Sequence, residues 1–193
     1  DGTEVWLNSS TKLQFPFSFD GKIREITVTG EAYLKVTPNP QKPFIVHLPY
    51  SSNVVILGTS FNINTYDPGK IKVSLLDGAV KMQTQQEARI LKPGEQTIYN
   101  PEKGLQIATF DAEDVLAWQH GIYRFEDASL EEICQVIPRW FDIKVVIDKP
   151  QAAKQRFTGS FDRNQPVQVS LERLKSTNLI DYDFDKDSVL HIR

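Results

Sequence analysis

Hydrophobic and polar positions divide this chain into two regions of different period. Through residues 1–109, short runs rich in Val, Ile, Thr, Tyr and Phe recur every eight to twelve residues between turn residues, the pattern of an all-β domain. Strands are expected near 4–7, 11–15, 23–29, 31–37, 43–48, 53–57, 60–66, 71–76, 79–84, 88–91, 96–99 and 105–109. Residues 73–76 are nearly continuous apolar, as for a strand covered on both faces. Along 23–29, Ile23, Glu25 and Thr27 alternate with Arg24, Ile26 and Val28, which marks no clean buried face. Asp77-Gly78 carries the signal of a two-residue hairpin, and Pro68-Gly69, Pro93-Gly94 and Asn39-Pro40 mark further turns.

The period changes after residue 110. Residues 111–118 form a crossover, and Gly121 to Phe125 reads as a strand. Leu130, Ile133, Cys134, Ile137 and Phe141 share one face at spacings of three and four, which predicts a helix over Asp127 to Phe141. Ser129 and Glu132 match a capping box, and Asp127 is an equally good cap. Pro138 falls inside that helix and requires either a kink or an early end. Strands at 143–147 and 156–161 follow. Pro166 then opens a second helix to about Ser176, with Val167, Leu171 and Leu174 inward. Strands at 180–184 and 188–192 complete a β-α-β-β-α-β-β order. The fold expected is therefore multidomain, all-β plus α+β: a sandwich, roll or solenoid-like sheet over 1–109, a crossover at 110–120, and an α/β module over 121–193.

Composition narrows the function classes. The chain has 193 residues and a net charge of −3, without the clustered Lys and Arg of a nucleic-acid surface. Residues 1–109 hold 11 Lys/Arg against 10 Asp/Glu, net +1, and residues 110–193 hold 11 against 15, net −4. No apolar run approaches the ~20 residues of a membrane span, and no signal peptide is visible; the opening Asp1-Gly2-Thr3 reads as a cut end entering a strand. The one cysteine, Cys134, makes no internal disulfide and sits on the apolar helix face as a small hydrophobe.

Candidate chemistry is sparse. His47, His120 and His191 fall in separate elements, without the paired spacing of a zinc site. Asp181, Asp183, Asp185 and Asp187 imitate the start of a calcium loop, but Lys186 and Ile192 stand where Gly and Glu are required. On a strand this spacing puts the carboxylates on one face and Tyr182 and Phe184 on the other. No nucleophile elbow, Walker loop or dinucleotide fingerprint occurs. Neither a cofactor nor a metal is expected, and no catalytic residue is assigned. Trp6, Trp118 and Trp140 are each expected to serve core or domain packing.

Four segments occur in an order that resembles one known family. They are Asp1-Gly2-Thr3-Glu4-Val5-Trp6-Leu7-Asn8, Gly30-Glu31-Ala32-Tyr33-Leu34-Lys35-Val36, Leu57-Gly58-Thr59-Ser60-Phe61-Asn62 and Leu91-Lys92-Pro93-Gly94-Glu95-Gln96. The second and third each hold a Gly where strands would turn or cross closely. Together they resemble the FecR family of periplasmic anti-sigma regulators, in its Bacteroidetes form. Gly121 to Asp127, Arg139 to Ile143 and Phe157 to Phe161 resemble that family's C-terminal module, similar in layout to the secretin and TonB short N-terminal domain. Pro138 departs from the family pattern.

The resemblance implies a non-enzymatic signalling protein: the periplasmic portion of an inner-membrane anti-sigma factor. Its implied partners are the signalling domain of a TonB-dependent outer-membrane transporter and, through a cytoplasmic segment absent from this chain, an extracytoplasmic-function sigma factor. Neither nucleic acid nor direct membrane contact is implied for this portion. The expected partner surface is a sheet edge of the α/β module, with Arg156, Thr158, Ser160, Asp162, Asp181, Asp183, Asp185, Val189 and His191 as candidates. The alternatives are a carbohydrate-binding β domain with an accessory module, which needs exposed aromatics clustered on one face, and a glycoside-active enzyme, which needs converging carboxylates in a cleft.

Overall fold

The computed structural model describes residues 1–193, the side chain of Leu57 excepted. Its contacts divide into two compact units, Asp1–Leu116 and Ala117–Arg193.

The first unit is all β except for one short helix, α1 (Ala112–Leu116). Its ten strands are β1 (Glu4–Leu7), β2 (Lys12–Gln14), β3 (Arg24–Thr29), β4 (Glu31–Val36), β5 (Phe44–Leu48), β6 (Ser52–Asn64), β7 (Ile71–Gln83), β8 (Ala88–Leu91), β9 (Glu95–Asn100) and β10 (Gly104–Thr109). They form one mixed sheet in which β3 and β5 are parallel. The two 13-residue strands organise it. The first half of β6 pairs with β5 and the end of β7, and its second half pairs with β4 and the start of β7. β7 likewise changes its second neighbour from β9 to β8. The sheet can thus curl around one core, and Leu34, Val46, Ile56, Phe61, Val73 and Met82 are fully buried there. Burying a side chain of this size stabilises by about 1.5–3 kcal/mol.

The expected hairpin at Asp77-Gly78 is not formed. β7 runs straight through these residues, and the strands expected at 53–57 and 60–66 are likewise one strand. The β6–β7 register shifts between Ile56 and Thr59 and again between Ser60 and Phe61. Gly78, paired with Thr59 between the two shifts, takes φ +86°. A two-residue type I′ hairpin turn needs positive φ at both central positions; Gly78 has it and Asp77 does not, so the local signal was right about the glycine and wrong about the topology.

β3 also differs from the sequence reading. It has a clean buried face, made of Arg24, Ile26 and Val28. Arg24 can occupy a core position because two of its three nitrogens are engaged: Nε donates to the Lys42 carbonyl at 3.0 Å, and Nη1 to the Thr37 carbonyl and Asp1 Oδ2 at 2.9 and 2.7 Å. Its guanidinium lies 5.2 Å from the centre of the Phe44 ring.

The second unit opens with a 3-10 turn, Ala117–His120. It continues through β11 (Ile122–Ser129), α2 (Leu130–Cys134), α3 (Val136–Phe141), β12 (Val145–Ile147), α4 (Pro150–Ala153), β13 (Arg156–Asp162), α5 (Val167–Lys175), β14 (Tyr182–Phe184) and β15 (Leu190–Ile192). β11 and β13 pair antiparallel. β12, β15 and β14 form a separate three-stranded sheet in that order. One core holds Phe161, Leu130, Ile133, Ile137, Leu171 and Leu190, all fully buried.

Three details of the expected helices are settled by local physics. Asp127 is not a cap; the helix begins at Leu130 behind Ser129, and the capping box is complete. Ser129 Oγ accepts from the Glu132 amide at 3.2 Å, and Glu132 Oε2 accepts from the Ser129 amide at 2.8 Å. The helix breaks at Gln135, so that Pro138 falls in the first turn of α3, where a missing amide costs little. α4, behind Pro150, was not anticipated.

A candidate interaction surface on the C-terminal module

β13 presents two faces. Phe157 and Phe161 point into the core, with Gly159 between them on the same face; Arg156, Thr158, Ser160 and Asp162 alternate onto the other. A Cβ on Gly159 would stand 3.3 Å from the Phe125 ring, a tight approach at the middle of the strand. β13 has a single strand neighbour, β11, so one of its edges carries no β-ladder.

The outward residues of β13 also hold a bulge in β11. The register shifts between Phe125 and Ala128, and Asp127 takes φ +44°. Thr158 Oγ1 accepts from the Asp127 amide at 3.0 Å. Arg156 Nε reaches Asp127 Oδ1 at 2.8 Å, and its Nη2 donates to the Asp127 carbonyl. At the far end, Asp162 accepts from the Asn164 amide and side chain and from Gln165 Nε2, at 2.9–3.1 Å. Ser160 lies between, half-buried.

In the terminal hairpin one strand lies at a sheet edge and the other does not. β15, which carries His191, is the middle strand of its sheet, paired with β12 on one side and β14 on the other. Its edges are filled, and β14 is the hairpin's open strand. Val189 precedes β15, and its amide donates to Asp185 Oδ1 at 2.8 Å. Tyr182 and Phe184 pack against the core.

The carboxylates here are paired within the chain. Asp181 meets Lys175 Nζ at 2.9 Å, and Asp183 meets Arg193 Nη2 at 3.0 Å. His191 lies between two aspartates, Nδ1 at 2.9 Å from Asp148 Oδ1 and Nε2 at 3.6 Å from Asp185 Oδ2. Arg193 Nε holds the other Asp148 oxygen at 2.9 Å. These contacts set the ionisation. The hydrogen bond to Asp148 raises the His191 pKa above its ordinary value, with Asp185 adding to it. The bonds from His191 and then Arg193 hold Asp148 below the usual carboxylate range. Backbone donation from Val189 lowers Asp185. Asp148, the residue that links His191 to Arg193, was missed from sequence because it lies more than forty positions away and reaches them through the parallel β12–β15 pair. Among the described residues, no group of three or more His, Cys, Asp or Glu is placed to hold a metal ion.

Of the three tryptophans, Trp6 is 40% exposed, against the packing role expected for it, and Trp118 is buried in the 3-10 turn. Trp140 packs edge-on against Tyr123, with ring centroids 6.2 Å apart, and carries the Arg163 guanidinium 5.6 Å from its ring.

Two models of one family match the sequence: "FecR protein" over residues 1–81 and "FecR, C-terminal" over residues 122–191. The chain belongs to the FecR family. Its fold is similar to two crystal structures of a "putative anti-sigma factor" from Parabacteroides distasonis ATCC 8503. One is 28% identical with a TM-score of 0.89, covering 100% of this chain and 91% of that one. The other is 29% identical with a TM-score of 0.88, covering 100% and 90%. No curated protein matches the sequence. The second FecR model spans β11 to β15 almost end to end, so β13 and the hairpin both belong to a family module. No helix among the described residues is long and apolar enough to cross a membrane.

Proposed function

We propose that this chain is the periplasmic sensor portion of a membrane-anchored anti-sigma factor. It receives a signal from the periplasmic signalling domain of a TonB-dependent outer-membrane transporter. It passes that signal, through a cytoplasmic segment outside this chain, to an extracytoplasmic-function sigma factor. The observation that carries the regulatory reading is that two FecR models match its two ends and the Parabacteroides distasonis "putative anti-sigma factor" shares its fold over the full length.

The open edge of β13 supports a physical route. An unpaired edge can accept a strand from another protein, with backbone bonds supplying affinity and side chains supplying selectivity. Arg156, Thr158, Ser160 and Asp162 would provide that selectivity, since all four lie on the outward face. β14 offers a second open edge, with Asp183 in the strand and Asp181 and Asp185 flanking it; Val189 and His191 contribute there through the bonds that hold Asp185 in place. Such a contact need supply only a few kcal/mol of differential binding to shift a signalling equilibrium.

Titration calorimetry with the periplasmic signalling domains of the same organism's TonB-dependent transporters tests the reading. Saturable binding to the intact chain is expected. Absence of heat and of any shift in the protein's NMR spectrum at millimolar concentration would overturn it.

A further inference from the structure

The first unit carries a cavity, open to solvent on one side, of about 740 Å³, within the size range of small-molecule sites. Its apolar wall comes from Val5, Leu13, Phe15, Phe17, Phe19 and Phe44. Phe15 and Phe17 are otherwise exposed, at 66% and 107%. Two side chains of this size left in water within three residues are unusual unless something covers them. Phe19 is drawn inward: its ring meets Phe44 edge-on with centroids 6.0 Å apart, and its carbonyl accepts from Lys42 Nζ.

Arg24 lines the same cavity. It is 2% exposed, and while Nε and Nη1 are bonded, Nη2 is buried without a partner. Leaving a charged donor unsatisfied in the interior is costly, and an oxygen acceptor would remove that cost. Lys42 Nζ places a second cation on the cavity, with two protons beyond the one given to Phe19. The carboxylates nearby are already engaged: Asp1 accepts from Arg24 and from Thr3, and Asp20 from Ser18.

We propose that this cavity binds a small amphipathic carboxylate, its apolar body against the phenylalanines and its carboxylate on Arg24 Nη2 and Lys42. Because Nη2 is closed off in the free protein, the segment carrying Phe15, Phe17 and Phe19 shifts to admit it. The site lies wholly within the first unit and goes beyond the relay proposed for the C-terminal module.

The test compares octanoate and 4-phenylbutyrate with octanamide and 4-phenylbutyramide, by NMR titration and thermal shift on the full chain. The carboxylates should perturb the Arg24 and Lys42 signals and raise Tm. The amides should bind about tenfold more weakly, the difference between a charge-assisted and a neutral hydrogen bond. Arg24→Met should abolish the preference. Should that variant fail to fold, Lys42→Met and Phe17→Ala serve instead: the first should reduce the carboxylate preference, and the second should weaken all four compounds together. Equal affinity for acid and amide, unchanged binding in the folded variants, or shifts away from the cavity would each overturn the proposal.

Discussion

Gly78 stands directly over the backbone of Gly58: a Cβ at Gly78 would lie 2.6 Å from the Gly58 carbonyl oxygen. This contact joins the two long strands where they exchange neighbours. Gly58 is confined in turn, since a Cβ there would lie 2.7 Å from the Pro38 ring. Two backbones approach so closely here that neither position has room for a side chain.

Gly78→Ala should therefore destabilise the first unit by about 2–4 kcal/mol, combining left-handed strain with a backbone clash. Gly94→Ala is the control. It has the same φ of +86°, with nothing within 4 Å of the added carbon, and should cost only about 1–2 kcal/mol of left-handed strain. Urea denaturation of both variants measures the difference, and equal losses would show that strain alone matters at Gly78.

Ser129→Ala removes one half of the capping box and should cost about 1 kcal/mol. Glu132→Ala removes the other half. Because the two bonds share one turn, the double variant should lose less than the sum of the single losses. Chemical denaturation followed by the second unit's NMR signals reads this directly.

His191 should titrate above ~6.5 in the folded protein, because its hydrogen bond to Asp148 favours the charged ring. The sign follows from linkage: the His191 contribution is fully present below the unfolded-state value and is lost as pH rises through the raised native value. Asp148 acts in the opposite sense. Its native pKa is lowered, so its contribution is present above the unfolded-state carboxylate value and is lost as pH falls through the native one. Asp148→Asn should return the His191 midpoint toward ~6.5 in an NMR titration.

The Cys134 thiol, buried at the end of α2, has its pKa pushed up to about 12 by desolvation. Too little thiolate forms at pH 8 for rapid reaction. A thiol reagent should label the native protein only at the rate of local opening, and label it at once in denaturant. Fast native labelling would contradict the packing described for α2.

The strands were legible where alternation and turn residues were strong, and errors fell where one local signal serves two structures. Asp77-Gly78 carries a hairpin signal, yet here it is a bulge, because the partner across the sheet decides which. Arg24 hides the inward face of β3 from a hydrophobicity pattern, since only its bonds to residues 1, 37 and 42 make its burial tolerable. On the candidate surface, period two suffices to place Arg156, Thr158, Ser160 and Asp162 together. It could not show that β15 is a central strand, because that rests on parallel pairing with β12, which has no local signature. The same fact bears on design: a chain ending after Asp185 would lose Leu190 and Ile192, both fully buried, and would test folding rather than binding.

Amide hydrogen exchange of this chain, with and without the transporter's signalling domain, tests the central claim most directly. Partner binding at an open edge predicts new protection along Arg156 to Asp162 or Tyr182 to Phe184, with the β6 and β7 amides unchanged. Saturable binding that protects only the first unit, or no protection anywhere at saturating partner, would contradict it.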